Sequence, residues 1–241
     1  MALHPRLRPG LVPALALLAA CSAAPEVRWY GSLREVMQER RTGPRVRLDQ
    51  LLPDEHLYAL GALAGLEGEI TVLAGEAWVA RPIGANAAHT ERSSGAEEAA
   101  CLLVSARVSA WRTVTISASI QYAELDATIA ELATAAGVQV DRPFAFRIEG
   151  TVRDLRWHVI DGRRIPPGLQ GPAVHRAAAV PQAVGQVEAH LLGFHSRAHE
   201  GVFTHHGTTT HVHCVIPALQ ATGHVDHVVV LPGAKVSFAV P

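Results

Sequence analysis

Residues 208–231 read TTTHVHCVIPALQATGHVDHVVVL. Two apolar-rich runs, 208–216 and 224–231, flank a segment that holds Pro217 and Gly223, which predicts two antiparallel strands joined by a turn region. Residues i and i+2 of a strand point to one face. His211 and His213 therefore present two imidazoles to the same side, and His224, opening the returning strand, supplies a third nitrogen. Three neutral imidazoles leave the fourth tetrahedral position of a zinc ion free, as in catalytic rather than structural zinc sites. Cys214 alternates to the opposite face and reads as a core residue. Asp226 shares the face of His224 and is placed to accept from an imidazole. His205 and His206 read equally as further ligands, outer donors or loop surface. The competing reading makes all of these exposed or hydrogen-bonded strand histidines. Nine of the fourteen histidines fall between His190 and His227, and the third histidine at hairpin distance favours a divalent transition metal, zinc above others.

Outward from this segment, strand signals dominate. Apolar runs at 57–64, 69–73 and 77–81 are separated by Gly65, Gly68 and Gly75, which predicts an antiparallel meander. Residues 83–99 read as a loop. Strand-like runs return at 101–108 and 112–120. Phe144, Phe146 and Ile148 alternate with Ala145, Arg147 and Glu149 along 143–149. The last third, 187–195, 208–216, 224–231 and 234–240, reads as β throughout. Helices are few and short. Ser32 and Glu35 form a capping box that starts one, ending near Arg41; Leu125, Ile129 and Leu132 mark another, which Gly137 ends. The expected fold is α+β, mostly antiparallel β-sheets in two β-rich layers or subdomains with a few short helices.

The 241 residues suffice for a substantial core, and 49% hydrophobic with 18% charged residues excludes a disordered chain. A net charge of −1 gives no global field to attract nucleic acid. Arg6 and Arg8 precede a short apolar run, 11–20, too short to span a bilayer as a helix. This predicts a secretory signal over residues 1–20. Leu18-Ala19-Ala20-Cys21 resembles a lipobox, so export to the periplasm or anchorage as a lipoprotein is expected, with membrane contact only through a lipid at Cys21. The mature chain divides into a β-rich α+β part (21–160), a Gly/Pro-rich connection (161–186) and a C-terminal β part (187–241). Outside the cytoplasm a Cys101–Cys214 disulfide is permitted, and the sequence leaves it open.

With these pieces in place the sequence resembles the acetolactate decarboxylase family. Gly193-Phe194, His211-Val212-His213 and Thr222-Gly223-His224-Val225 match its C-terminal elements in order. Leu66-Glu67-Gly68-Glu69 matches its "LDGE" strand, and Ala145-Phe146-Arg147-Ile148-Glu149-Gly150 its "AIRIDG" strand. The likeness covers most of 29–231, with a gap over 83–120. It implies that His211, His213 and His224 bind Zn2+ or another divalent transition metal, that Glu69 is an active-site acid and that Arg147 binds substrate. Three features depart from the family: Ala62 stands for a threonine, Arg156-Trp157-His158 for a second basic patch, and a further glutamate beyond the third histidine has no counterpart up to Pro241.

The reaction implied is decarboxylation of 2-acetolactate, a small-molecule keto acid, to acetoin, with the metal stabilising an enediolate. Arg147 would orient the carboxylate and Glu69 deliver the proton to carbon. The alternative is an exported, non-catalytic zinc- or copper-binding lipoprotein. A cupin-like site would need a glutamate about four residues after the histidine pair, where Pro217 stands. A homodimer is left open.

Overall fold

Ser32 Oγ accepts the Glu35 N–H at 3.2 Å, and the helix it starts, α1 (Leu33–Glu39), ends at Arg40 in the left-handed conformation. A computed structural model describes residues 24–241, so the signal segment and the lipobox at Cys21 lie outside the described residues. Beyond α1, apolar alternation has organised nearly everything into β-structure. The first sheet holds β1 (Val27–Tyr30), β2 (Val46–Arg47), β3 (Leu57–Leu63), β4 (Glu69–Leu73), β5 (Glu76–Pro82), β6 (Ala88–Ser93) and β7 (Ala99–Arg107). Its order is β1-β7-β3-β4-β5-β6, with β2 also against β7. Ala74 and Gly75, both at positive φ, close the β4–β5 hairpin as a two-residue turn, and a Cβ at Gly75 would lie 2.4 Å from the Asp54 carbonyl oxygen.

The second sheet holds β8 (Ala110–Thr115), β9 (Ile120–Gln121), β10 (Phe144–Ile160), β11 (Ala179–His195), β12 (Thr210–Ile216), β13 (Ala221–Val230) and β14 (Lys235–Val240), in the order β8-β14-β10-β11-β12-β13-β9. Two more helices, α2 (Leu125–Ala135) and α3 (Pro172–Ala178), complete the fold. β10 pairs with β14 through Phe146–Glu149. From Val152 onward it pairs with β13, across a bulge between Arg153 and Arg156 where Asp154 has φ 52°. This second pairing closes β10, β11, β12 and β13 on one another as a small barrel-like cycle.

Phe146 is fully buried and its ring fills the space over Gly193 on β11, where a Cβ would come within 2.2 Å of it. Burial of one such ring contributes about 1.5–3 kcal/mol. Ile129 and Ala133 of α2 cover the same core, which includes Phe144, Ile148, Val212 and Cys214. Tyr58, Leu60 and Val104 of the first sheet meet Ala145, Leu192 and Phe194 of the second. The two β-rich layers expected from the sequence are thus present, and the chain passes from one to the other at 108–109. The stretch 161–186, expected as a connection, contains α3 and the first part of β11. Cys101 and Cys214 are both free and buried.

Candidate metal centre

Closure of the β10–β13 cycle decides which imidazoles meet. In register, His213 of β12 lies opposite His224 of β13, and His224 lies opposite His158 of β10. The strand period adds His211 on the same face as His213. Ring centroids are 4.9 Å apart for His211 and His224, 5.2 Å for His211 and His213, and 4.8 Å for His158 and His224. His211 Nε2 lies 3.0 Å from His224 Nδ1. Gly223 permits the crowding, since a Cβ there would sit 2.5 Å from the His158 carbonyl oxygen.

A hydroxyl relay fixes the tautomer of His213. Thr222 Oγ1 lies 2.7 Å from the Cys214 carbonyl and 2.8 Å from Thr71 Oγ1, which lies 3.0 Å from His213 Nδ1. A carbonyl only accepts, and each hydroxyl has one hydrogen. Thr222 therefore donates to Cys214, Thr71 donates to Thr222, and His213 Nδ1–H donates to Thr71. The lone pair is left on Nε2, which is buried without a hydrogen-bond partner among the described residues, as is His211 Nδ1. Burial pushes the His213 pKa down to about 3 and that of His205 to about 4, and holds His211 and His224 well below the ordinary histidine value. At neutral pH all four rings are uncharged, the form in which an imidazole can bind a metal.

These donors fit a nitrogen-loving transition metal. Two nitrogens held ~2.0–2.1 Å from a tetrahedral zinc stand about 3.3 Å apart, close to the 3.0 Å between His211 and His224. The most tightly gathered set is His205, His211 and His224, whose ligand atoms lie within 4.8 Å of one another. Sequence spacing favours His213 over His205; the structure sets His213 deeper because Thr71 holds its ring toward β4.

Glu69 opens β4 beside this cluster. Its Oε1 accepts the Ile160 N–H at 3.2 Å and its Oε2 lies 3.7 Å from His213 Nε2. Burial pushes its pKa up to about 8, so the carboxyl keeps its proton at neutral pH. Asp226 has an imidazole partner, as its position on the strand suggests, but the partner is His158, whose Nδ1 lies 2.8 Å from Oδ1. Burial alone would lower the His158 pKa; the hydrogen bond and charge of Asp226 outweigh it and raise the value.

A cavity of about 290 Å3 opens over the cluster. Glu69, His158, His205, His211, His224 and Asp226 line its polar end, and α1 supplies an apolar wall through Leu33, Val36 and Met37. Arg176 of α3 also reaches it. Sequence reading missed α1, α3 and His158 as site elements; the contrast between apolar wall and titratable floor exists only after folding.

Arg147 is elsewhere. It lies opposite Leu192 and Ser237, stacks on Trp111 with 4.8 Å to the ring centroid, and is 3.6 Å from Glu149. In register Arg147 shares a rung with Leu192 of β11 and, one strand further, with His213 of β12, so its backbone lies two strands, about 10 Å, from that histidine. The resemblance assigns Arg147 to substrate; in the structure its guanidinium turns to Trp111, on a face of the sheet that, like His213, packs toward the first sheet.

Residues 54–240 match the family described as alpha-acetolactate decarboxylase. The chain belongs to that family. Among solved structures, acetolactate decarboxylase from Bacillus subtilis subspecies spizizenii is 16% identical, with a TM-score of 0.70 over 89% of this chain and 86% of that one. A Staphylococcus aureus protein of unknown function similar to alpha-acetolactate decarboxylase is 16% identical, with a TM-score of 0.68 over 89% and 85%. At such identities the likeness is one of fold. No curated protein matches the chain. Family and fold are thus those of acetolactate decarboxylase, a lyase.

Proposed function

We propose that this family member is a zinc-dependent decarboxylase that converts 2-acetolactate to acetoin and carbon dioxide. The observation that carries the reading is the placement of Glu69, a buried carboxyl in the same cavity as the imidazole cluster, with Oε2 3.7 Å from His213 Nε2. Loss of carbon dioxide leaves an electron pair that must be stabilised and then protonated. Zinc held by His211, His213 and His224 would supply Lewis acidity for that charge.

The chain's own groups do the rest. Arg176 offers positive charge to the substrate carboxylate at the cavity, and the ring of His158, hydrogen-bonded to Asp226, lies beside it. Glu69 gives its proton to the carbon that carried the carboxylate, and water restores that proton afterwards. Leu33, Val36 and Met37 shield the reacting end from bulk water and receive the substrate's methyl groups.

The test is acetoin release from 2-acetolactate by zinc-loaded protein, against free Zn2+ at equal concentration. A second reading, an exported metal-binding lipoprotein without turnover, draws support from the displacement of Arg147 from the cavity. It predicts no release above free Zn2+. Export itself is proposed on the signal-like start, and loss of membrane association in Cys21→Ser checks the lipid anchor.

A further inference from the structure

Two adjacent histidines have opposite fates in the loop before β12. His206 is exposed and paired with Glu200. His205 turns inward: its ring centroid is 4.9 Å from that of His224 and 5.5 Å from that of His211. Its ring has no hydrogen-bond partner among the described residues, although its ligand atom lies within 4.8 Å of theirs.

The backbone that carries it is held on both sides. Phe203 and Thr204 are fully buried. The first N–H groups of α1, which no helical carbonyl can satisfy, donate to this loop: Leu33 N–H to the Val202 carbonyl at 2.8 Å and Arg34 N–H to that of Gly201 at 2.9 Å. On the other side, the Thr208 N–H and hydroxyl both donate to the His205 carbonyl at 3.2 Å. A side chain aimed by so many contacts is preorganised, and what it is aimed at is the nitrogen cluster.

We infer that His205 is a fourth imidazole ligand, so that the ion in this chain is held by His205, His211, His213 and His224. The inference rests on the metal half of the reading above and not on decarboxylation. Four protein ligands fill a tetrahedral zinc. His205 lines the cavity whereas His213 stands behind it, so His205 takes the position a chelating substrate needs. It is the displaceable ligand, closing the centre when the cavity is empty.

The experiment titrates Co2+ into metal-free wild type, His205→Ala and His206→Ala. Visible ligand-field absorption reports the coordination, and competition with a chromophoric chelator gives the dissociation constant. His206→Ala should match wild type. His205→Ala should bind about ten- to a hundredfold more weakly, with a weaker, shifted band as water replaces a nitrogen. Wild-type affinity and spectrum in His205→Ala overturn the inference. Should alanine unfold the loop, pulsed EPR on Cu2+-loaded wild type decides: four coupled imidazoles support the inference and three overturn it. Acetoin release measured on the same samples keeps the readings apart. No release with a changed Co2+ spectrum sinks only the decarboxylase; release with an unchanged spectrum in His205→Ala sinks only the fourth ligand.

Discussion

Thr71 Oγ1 and His213 Nδ1 stand 3.0 Å apart, a buried hydrogen bond that ties β4 of one sheet to β12 of the other and leaves Nε2 free, 3.7 Å from Glu69 Oε2. Thr71→Val keeps the shape and removes the hydroxyl. Outer hydrogen-bond partners of ligating histidines are worth about ten- to a hundredfold in metal affinity. Thr71→Val should therefore weaken Zn2+ binding by about that factor, read by chelator competition, while the circular dichroism spectrum stays that of wild type. Unchanged affinity would mean that His213 is not a ligand.

Metal and fold should be linked. A ligand that binds only the folded state stabilises it in proportion to the logarithm of its concentration over its dissociation constant, about 2.7 kcal/mol at a hundredfold excess. Chelation should lower the unfolding midpoint, and Zn2+ should restore it. In His211→Ala the restoring effect should be lost.

How legible these features are in the sequence follows from where each signal lives. β3, β4 and β5 fall close to their apolar runs because each buries most of its side chains. β6, placed in an expected loop, buries none, since it is an edge strand of Ala88-His89-Thr90-Glu91-Arg92-Ser93. The HxH face was readable from the strand period alone. The meeting of His158 with His224 and Asp226 was not, because it depends on the long-range pairing of β10 with β13 and on the register shifts within it. Nor was the inward turn of His205, which the loop's contacts with α1 decide.

Glu69→Gln should separate chemistry from binding. Glutamine keeps the volume and still accepts the Ile160 N–H, but it has no proton to give as an acid. Metal content and fold should be retained, and acetoin release should fall about a hundred- to ten-thousandfold, the usual contribution of a positioned acid. Loss of metal together with activity would make Glu69 a structural support for His213 instead.

His195 should make the protein sensitive to acid. It is buried with neither ring nitrogen hydrogen-bonded among the described residues, and it stacks on Phe144 at 4.7 Å. Burial pushes its pKa down to about 4. Once unfolded, the same side chain takes a proton at about pH 6.5. Between these values the unfolded state binds more protons, so the contribution is intact above about pH 6.5 and is lost as pH falls toward 4. The loss is on the order of 3 kcal/mol at most. The urea midpoint of wild type should fall relative to that of His195→Leu on acidification, and parallel curves would place a water or ion on the ring.

Arg147 and His158 share one strand, and their variants should behave oppositely. Family resemblance gives the substrate carboxylate to Arg147, but its guanidinium lies on Trp111, outside the cavity. His158 lines the cavity, opposite His224 in register, and holds a hydrogen bond from its ring to Asp226. Arg147→Ala removes a cation–π contact and an ion pair with Glu149, so it should cost about 1 kcal/mol of stability. Its metal content and acetoin release should stay within about twofold of wild type. His158→Ala removes the Asp226-bound imidazole from the reacting end. It should retain zinc and lose about a hundred- to a thousandfold in turnover, the cost of deleting one charge-stabilising donor. His158→Lys, which restores a cation at the same rung, should recover part of that loss if charge is what matters. Arg147→Ala protein that keeps its zinc and fold but no longer releases acetoin would give the substrate carboxylate back to Arg147, which stands two strands from His213 on the same rung.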